Sequence, residues 1–316
     1  MRTPTLTLLL TALVASLGAQ GVNPLSGPEH FDAQWLAVRP RTPEGPYPNL
    51  PADWEPMPNP RCEVPEGRPL EGLRICVDPG HGGQIWGPTH GYTGGTRGRE
   101  TGLTESDMNL RTALFLWDLL TQAGAEVVMT RTRPERVTPA GSGAREELHG
   151  RVAIAEEAGC DHFVSIHHNA IGGGQSIDTN TTAVYYFDTS HCDDAYNADA
   201  PYAQRHPDAL LNQERIDLAL SIQEALVRHL GLPTAPPAAG SPGVPHGDFH
   251  VLRETHLPAV LVEASFMTNP EEDLRLNDPA RAKQEATAIF EGILAHFETH
   301  PMRPWRENAP SAAMRE

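Results

Sequence analysis

Positive charge is scarce in this chain. Its 24 lysines and arginines face 41 aspartates and glutamates, a net charge of −17 with the histidines neutral. That argues against a nucleic-acid partner, since phosphates select basic faces. Acidity of this size serves solubility and names no partner. Long apolar runs are scarce too. One lies at residues 6–17, inside MRTPTLTLLLTALVASLGAQG. It falls short of the roughly 20 residues a spanning helix needs. With Arg2 before it and the small residues Ala19 and Gly21 after it, it has the pattern of a secretory signal peptide over residues 1–21. No second stretch of spanning length follows, so no stable membrane span is expected. Cysteine is limited to Cys62, Cys76, Cys160 and Cys192, without the C-x-x-C spacing of structural zinc sites. An exported protein can oxidise such thiols. Cys76, within an apolar strand, reads as a buried thiol. There is no internal repeat, and the P-loop lysine is absent from the glycine-rich turn DPGHGG.

What is present divides the chain. Residues 22–70 carry Pro40, Pro43, Pro46, Pro48, Pro51, Pro56, Pro58 and Pro60. Such a stretch forms neither a regular helix nor a central strand, and reads as a linker or a strap. Residues 301–316 read as a loose tail. Between them, residues 71–300 alternate strands and helices. Strands are predicted at 73–79, 125–132, 161–170, 182–188, 248–254 and 258–266. Helices are predicted at 105–124, 144–159, 214–231 and 281–298. The alternation predicts a single α/β domain, a largely parallel twisted sheet flanked by helices.

In such sheets ligands bind beyond the carboxyl ends of the strands. His81 follows the first strand in ICVDPGHGG, His167 ends HFVSIH, and Glu263 ends PAVLVE. Glu105 opens the helix after the first strand, so all four share one rim. Two histidines and a carboxylate are a common open ligand set for zinc. A second carboxylate can then take a proton from water. Each residue alone has a plainer reading. Glu105 complements a helix dipole, Asp78 shapes a turn, and a histidine among glycines sits in a solvated loop. Glu263 resists this, because a buried carboxylate costs several kcal/mol without a partner. Strand alternation does not choose between His167 and His168, which face opposite ways.

These stretches, with ESDMNL, VVMTRT, RVAIAEEAGCDHFVSIHHNA, GVPHGDFHVLR and PAVLVEASFMTNPEEDLRL, resemble the zinc-dependent N-acetylmuramoyl-L-alanine amidases of the amidase-3 type. The resemblance covers about residues 73–297. It implies that His81, Glu105 and His167 hold Zn²⁺, that Glu263 is the catalytic carboxylate, and that peptidoglycan is the partner and substrate. It favours His167 over His168. It places the protein in the periplasm, cell wall or surroundings. The chain departs from the family pattern at His168, at Ala264-Ser265, at Glu156 and at Pro242. These departures bear on substrate preference and rate, and none removes a ligand or the base.

The long loops at 84–104 and 188–213 carry Trp86, Tyr92, Tyr196 and Tyr202, which read as packing anchors or groove contacts. His90, His191, His206 and His246 read as surface residues, with His246 also a possible substrate contact. Two other functions fit the same residues: a zinc peptidase of other specificity, and a non-catalytic peptidoglycan-binding protein. Retention of all three ligands and the base argues against the second.

Overall fold

The computed structural model describes residues 64, 66–82, 95–133, 136–139, 142–171, 178–191, 208–235 and 242–300. The leader, nearly all of the proline-rich segment, the tail, Cys62, Cys192, Trp86, Tyr92, Tyr196, Tyr202, His90 and His206 lie outside the described residues, as does the His191 side chain.

Five strands form one sheet: β1 (Arg74–Pro79), β2 (Glu126–Met129), β3 (His162–Asn169), β4 (Ala183–Tyr185) and β5 (Ala259–Phe266), in the order β2-β1-β3-β5-β4. The pairings β1–β2, β1–β3 and β3–β5 are parallel, and β4 runs antiparallel to β5. The helices are α1 (Glu105–Gln122), α2 (Ala144–Glu157), α3 (Ala209–Leu230), α4 (His250–Arg253), α5 (Pro270–Leu276) and α6 (Pro279–Thr299). The expected α/β fold with a largely parallel sheet is therefore present.

Burial on both faces explains why the central strands are apolar runs rather than alternating ones. On one face Ile75, Val77, Val164 and Val262 pack with α1, α3 and α6. On the other, Cys76, Phe163 and Leu261 pack with Val152 of α2 and Val251 of α4. Cys76 and Cys160 are both buried free thiols. Leu70, which the sequence reading left in the proline-rich segment, is fully buried and donates its N–H to the Ala123 carbonyl at 2.9 Å.

Helix α1 is buried from Glu105 through Leu120. It starts where the Thr104 side chain accepts the Asp107 N–H, the usual N-cap arrangement. It stops before Gly124, whose φ of 99° belongs to the left-handed region. Helices α3 and α6 approach closely at Gly292, where a Cβ would collide with the Ile222 backbone.

The structure departs from expectation at three places. Residues 248–254 were expected as a strand, yet His250–Arg253 is one helical turn. A strand would send Val251 and Leu252 to opposite faces, whereas both are buried in the same apolar cluster. The turn also lets Arg253 pair with Asp248 and Glu254. Helix α5 was not anticipated. Its signature is present in NPEED: Asn269 caps it, Pro270 opens it and acidic residues fill its first turn. Helix α3 also begins earlier than expected, capped by Asp208.

Candidate active site

The turn after β1 brings His81 into position. His81 has a φ of 59°, a left-handed conformation uncommon outside glycine. Two buried arginines hold the turn there. Arg151 of α2 donates to the carbonyls of Pro79 (2.8 Å) and His81, and pairs with Asp78 at 2.6 Å. Arg131 donates to the carbonyls of Pro79 and Gly80 at 2.9 and 2.8 Å. Asp78 also accepts from Thr130 (2.6 Å) and Ser165 (2.7 Å). Its role is therefore a buried brace between β1, β3 and α2, rather than a simple turn former.

Glu105, at the first turn of α1, meets both histidines. Its Oε1 lies 3.1 Å from His81 Nε2 and 2.9 Å from His167 Nδ1. Its Oε2 accepts the Thr96 N–H at 2.9 Å. The two imidazoles meet edge to face, with centroids 4.9 Å apart. The three donor atoms lie within 4.8 Å of one another and form a group able to hold a metal ion.

Protonation states suit that role. Burial favours the neutral Glu105 carboxyl, but His81 and His167 outweigh it and hold the group well below its usual range. Burial, reinforced by His81, holds the His167 imidazole below its ordinary value against the pull of Glu105. A neutral imidazole and an ionised carboxylate are the forms that bind metal. The backbone is built around the group. A Cβ on Gly80 would overlap the His167 ring, and one on Gly95 would overlap Glu105 and His81.

His168 points elsewhere. Its side chain is fully buried, with Nδ1 2.8 Å from Asn109 Oδ1 and Nε2 3.1 Å from Glu285 Oε2. So the structure joins the His167 ring, and not the His168 ring, to His81 and Glu105.

Glu263 stands directly opposite His167 in the β3–β5 register. His81, Glu105, His167 and Glu263 line one cavity of about 250 Å³, which Phe249 and His250 also border. Glu263 Oε2 is buried without a hydrogen-bond partner. Burial and then the Glu105 charge push Glu263 well above the usual carboxylate range. A carboxylate without a partner beside three converging donor groups is placed to exchange a proton with something held in the cavity.

Comparison with known proteins gives the family. Residues 75–295 match the family Amidase_3, N-acetylmuramoyl-L-alanine amidase. The chain belongs to the amidase-3 family. It is 29% identical over 243 residues to the germination-specific N-acetylmuramoyl-L-alanine amidase of Bacillus subtilis (strain 168), covering 74% of this chain and 83% of that protein. It is 31% identical over 229 residues to an uncharacterized cell wall amidase of Bacillus anthracis, covering 72% of this chain but 36% of the relative. The solved N-acetylmuramoyl-L-alanine amidase of Nostoc punctiforme superposes with a TM-score of 0.51 at 27% identity, covering 73% of this chain and 98% of that one.

Other residues of this amidase-3 chain can now be placed. His246 Nδ1 accepts the Asp188 N–H at 3.0 Å, and the ring leans on Phe187. It does not line the cavity. Glu156, one of the departures from the family pattern, accepts from Thr255 Oγ1 and the His256 N–H, both at 2.7 Å. It fastens α2 to the segment before β5. Arg131, Arg151 and Asn109 were missed from sequence. The signal for Arg151 was a cation on the apolar face of α2, which needs a buried partner. Among the described residues, no helix is long and apolar enough to cross a membrane.

Proposed function

We propose that this chain is an exported zinc hydrolase. It cleaves the amide between the lactyl group of N-acetylmuramic acid and L-alanine in peptidoglycan. The observation that carries the reading is the convergence of His81, Glu105 and His167 in a cavity that Glu263, with its unpartnered Oε2, also lines. Membership of the amidase-3 family and the cell wall amidases among its relatives support the same substrate.

In this reading His81 Nε2, Glu105 Oε1 and His167 Nδ1 hold Zn²⁺. The ion supplies Lewis-acid polarisation of the amide carbonyl and acidifies water. Glu263 is the base. Its carboxylate accepts the proton of the attacking water and returns it to the departing L-alanine nitrogen. Raised proton affinity suits a group that must both take and give back a proton. Beside a cation Glu263 shifts toward its ionised form, ready for the first transfer. Arg151, Arg131 and the Asp78 brace fix the left-handed turn, so the His81 ring is aimed before any ligand arrives.

Digestion of purified peptidoglycan tests the reaction. The expected products are free stem peptides with L-alanine amino termini and intact glycan strands. New reducing ends would mean a glycosidase, and cuts within the stem would mean a peptidase. Export rests on the leader pattern over residues 1–21. Amino-terminal sequencing of secreted protein is expected to start near Gln20 or Val22, and recovery of intact Met1 in membranes would refute it.

A further inference from the structure

A second histidine–carboxylate group lies at the other end of the sheet. His162 opens β3, five residues before His167, which separates the two by about 16 Å at ~3.3 Å per strand residue. His162 Nε2 lies 3.4 Å from Glu214 Oε1 on α3, and His296 Nε2 on α6 lies 2.8 Å from the same oxygen. The three donor atoms fall within 4.8 Å of one another. The corresponding separations at the first group are 3.1 and 2.9 Å. Ligands at about 2.0–2.1 Å from zinc in a tetrahedron stand ~3.3 Å apart, close to the separations from the shared carboxylate oxygen in both groups.

The surroundings favour a cation. The His296 side chain is fully buried and that of His162 nearly so, while Glu214 is 22% exposed. Among the described residues Glu214 pairs with these two imidazoles and with no lysine or arginine. Both rings also have a buried Nδ1 without a partner. An ion at Nε2 would leave each Nδ1 as it stands, so what points to a metal is the meeting of two imidazole Nε2 atoms on one carboxylate oxygen. Phe297 meets both rings edge to face, each at 5.0 Å between centroids, and fixes their planes.

We propose that His162 Nε2, Glu214 Oε1 and His296 Nε2 form a second zinc site, outside the catalytic cavity, with water as the fourth ligand on the exposed Glu214 side. It ties the start of β3 to α3 and α6. This inference is independent of the proposed catalysis, because none of its residues lines the catalytic cavity.

The test separates the two sites. Full-length His167→Ala protein is stripped with a chelator, reloaded with zinc alone, desalted and analysed for metal. The proposal expects about one zinc per chain, falling to near zero when Glu214→Gln is added. Equal zinc content in the two proteins, whether one or none, overturns it. His162→Gln in the same background is the second variant if Glu214→Gln does not fold by circular dichroism. Zinc is also expected to raise the melting temperature of the His167→Ala protein and not that of the double variant, as ligand linkage requires. Glu214→Gln alone is expected to release stem peptides at the wild-type rate.

Discussion

His167 and Glu263 sit directly opposite each other on adjacent parallel strands, one facing Glu105 and the other left without a partner. The register therefore sets a proposed ligand beside the proposed base without help from any loop. The two roles should separate by mutation. Glu263→Gln keeps the side-chain shape and removes the proton acceptor. Zinc content of the variant is expected to match wild type, while turnover falls by about 10²–10⁴-fold. Full-rate turnover would sink the assignment even if the products were those expected.

The adjacent histidines should behave in opposite ways. His167→Ala is expected to lose the catalytic zinc with little change in fold. His168→Ala is expected to keep that zinc and lose stability by about 1–3 kcal/mol, because Glu285 loses its imidazole while Arg281 and Thr112 remain beside it. Metal analysis and urea midpoints on both proteins check this. Zinc lost only from the His168 variant would show that the wrong face of β3 has been assigned.

Arg151→Ala is expected to be among the most damaging changes outside the cavity. It strands the buried Asp78 charge and frees the carbonyls of Pro79 and His81. A loss of about 3–5 kcal/mol is expected, with a weaker hold on zinc. Equilibrium unfolding and zinc titration measure the two effects separately.

Gly80→Ala should act on the site rather than on the fold. The added Cβ would meet the His167 ring, the far end of a side chain and not backbone. Zinc affinity is expected to drop while the unfolding midpoint changes little. Unaltered zinc affinity would mean that the ring has room the geometry does not indicate.

Acid should weaken the fold in two stages. Burial, helped by the His149 charge, holds His250 down to about 4 from an ordinary 6.5. Between those values the unfolded chain binds a proton that the folded one refuses, so stability falls as pH drops through that window. At lower pH, Asp78 and Glu285 follow. Burial opposes their ionisation, but Arg151 and His168 respectively help to hold them below the carboxylate range. Their contribution is full above the unfolded carboxylate values and is lost as pH falls through the folded ones. Urea midpoints from roughly pH 8 to pH 3 should show both stages, and His250→Asn should flatten only the first.

Much of this was legible in the sequence because the signals were periodic or terminal. The apolar run of β1, the helical spacing of Met108, Leu110 and Leu114, and the strand ending at Glu263 each carry their own pattern. The rim argument then joined His81, Glu105 and Glu263 by topology alone. It could not choose between His167 and His168, since that depends on the face β3 turns toward α1. The bracing arginines were hidden for a related reason. Arg131 and Arg151 act on backbone carbonyls of a turn that is distant in sequence, and carbonyls leave no mark on composition. The segment around His250 misled because a single helical turn is too short for its period to show.

The order of strands has a consequence for synthesis. β5 comes last along the chain yet lies between β3 and β4, so β4 has no strand partner until β5 arrives. A ribosome-bound chain that ends before Ala259 already contains His81, Glu105 and His167 but lacks Glu263. Such a nascent chain has the proposed metal ligands without the proposed base. On the proposed mechanism the proton-accepting group joins the site only when β5, the last of the described strands, enters the sheet between β3 and β4.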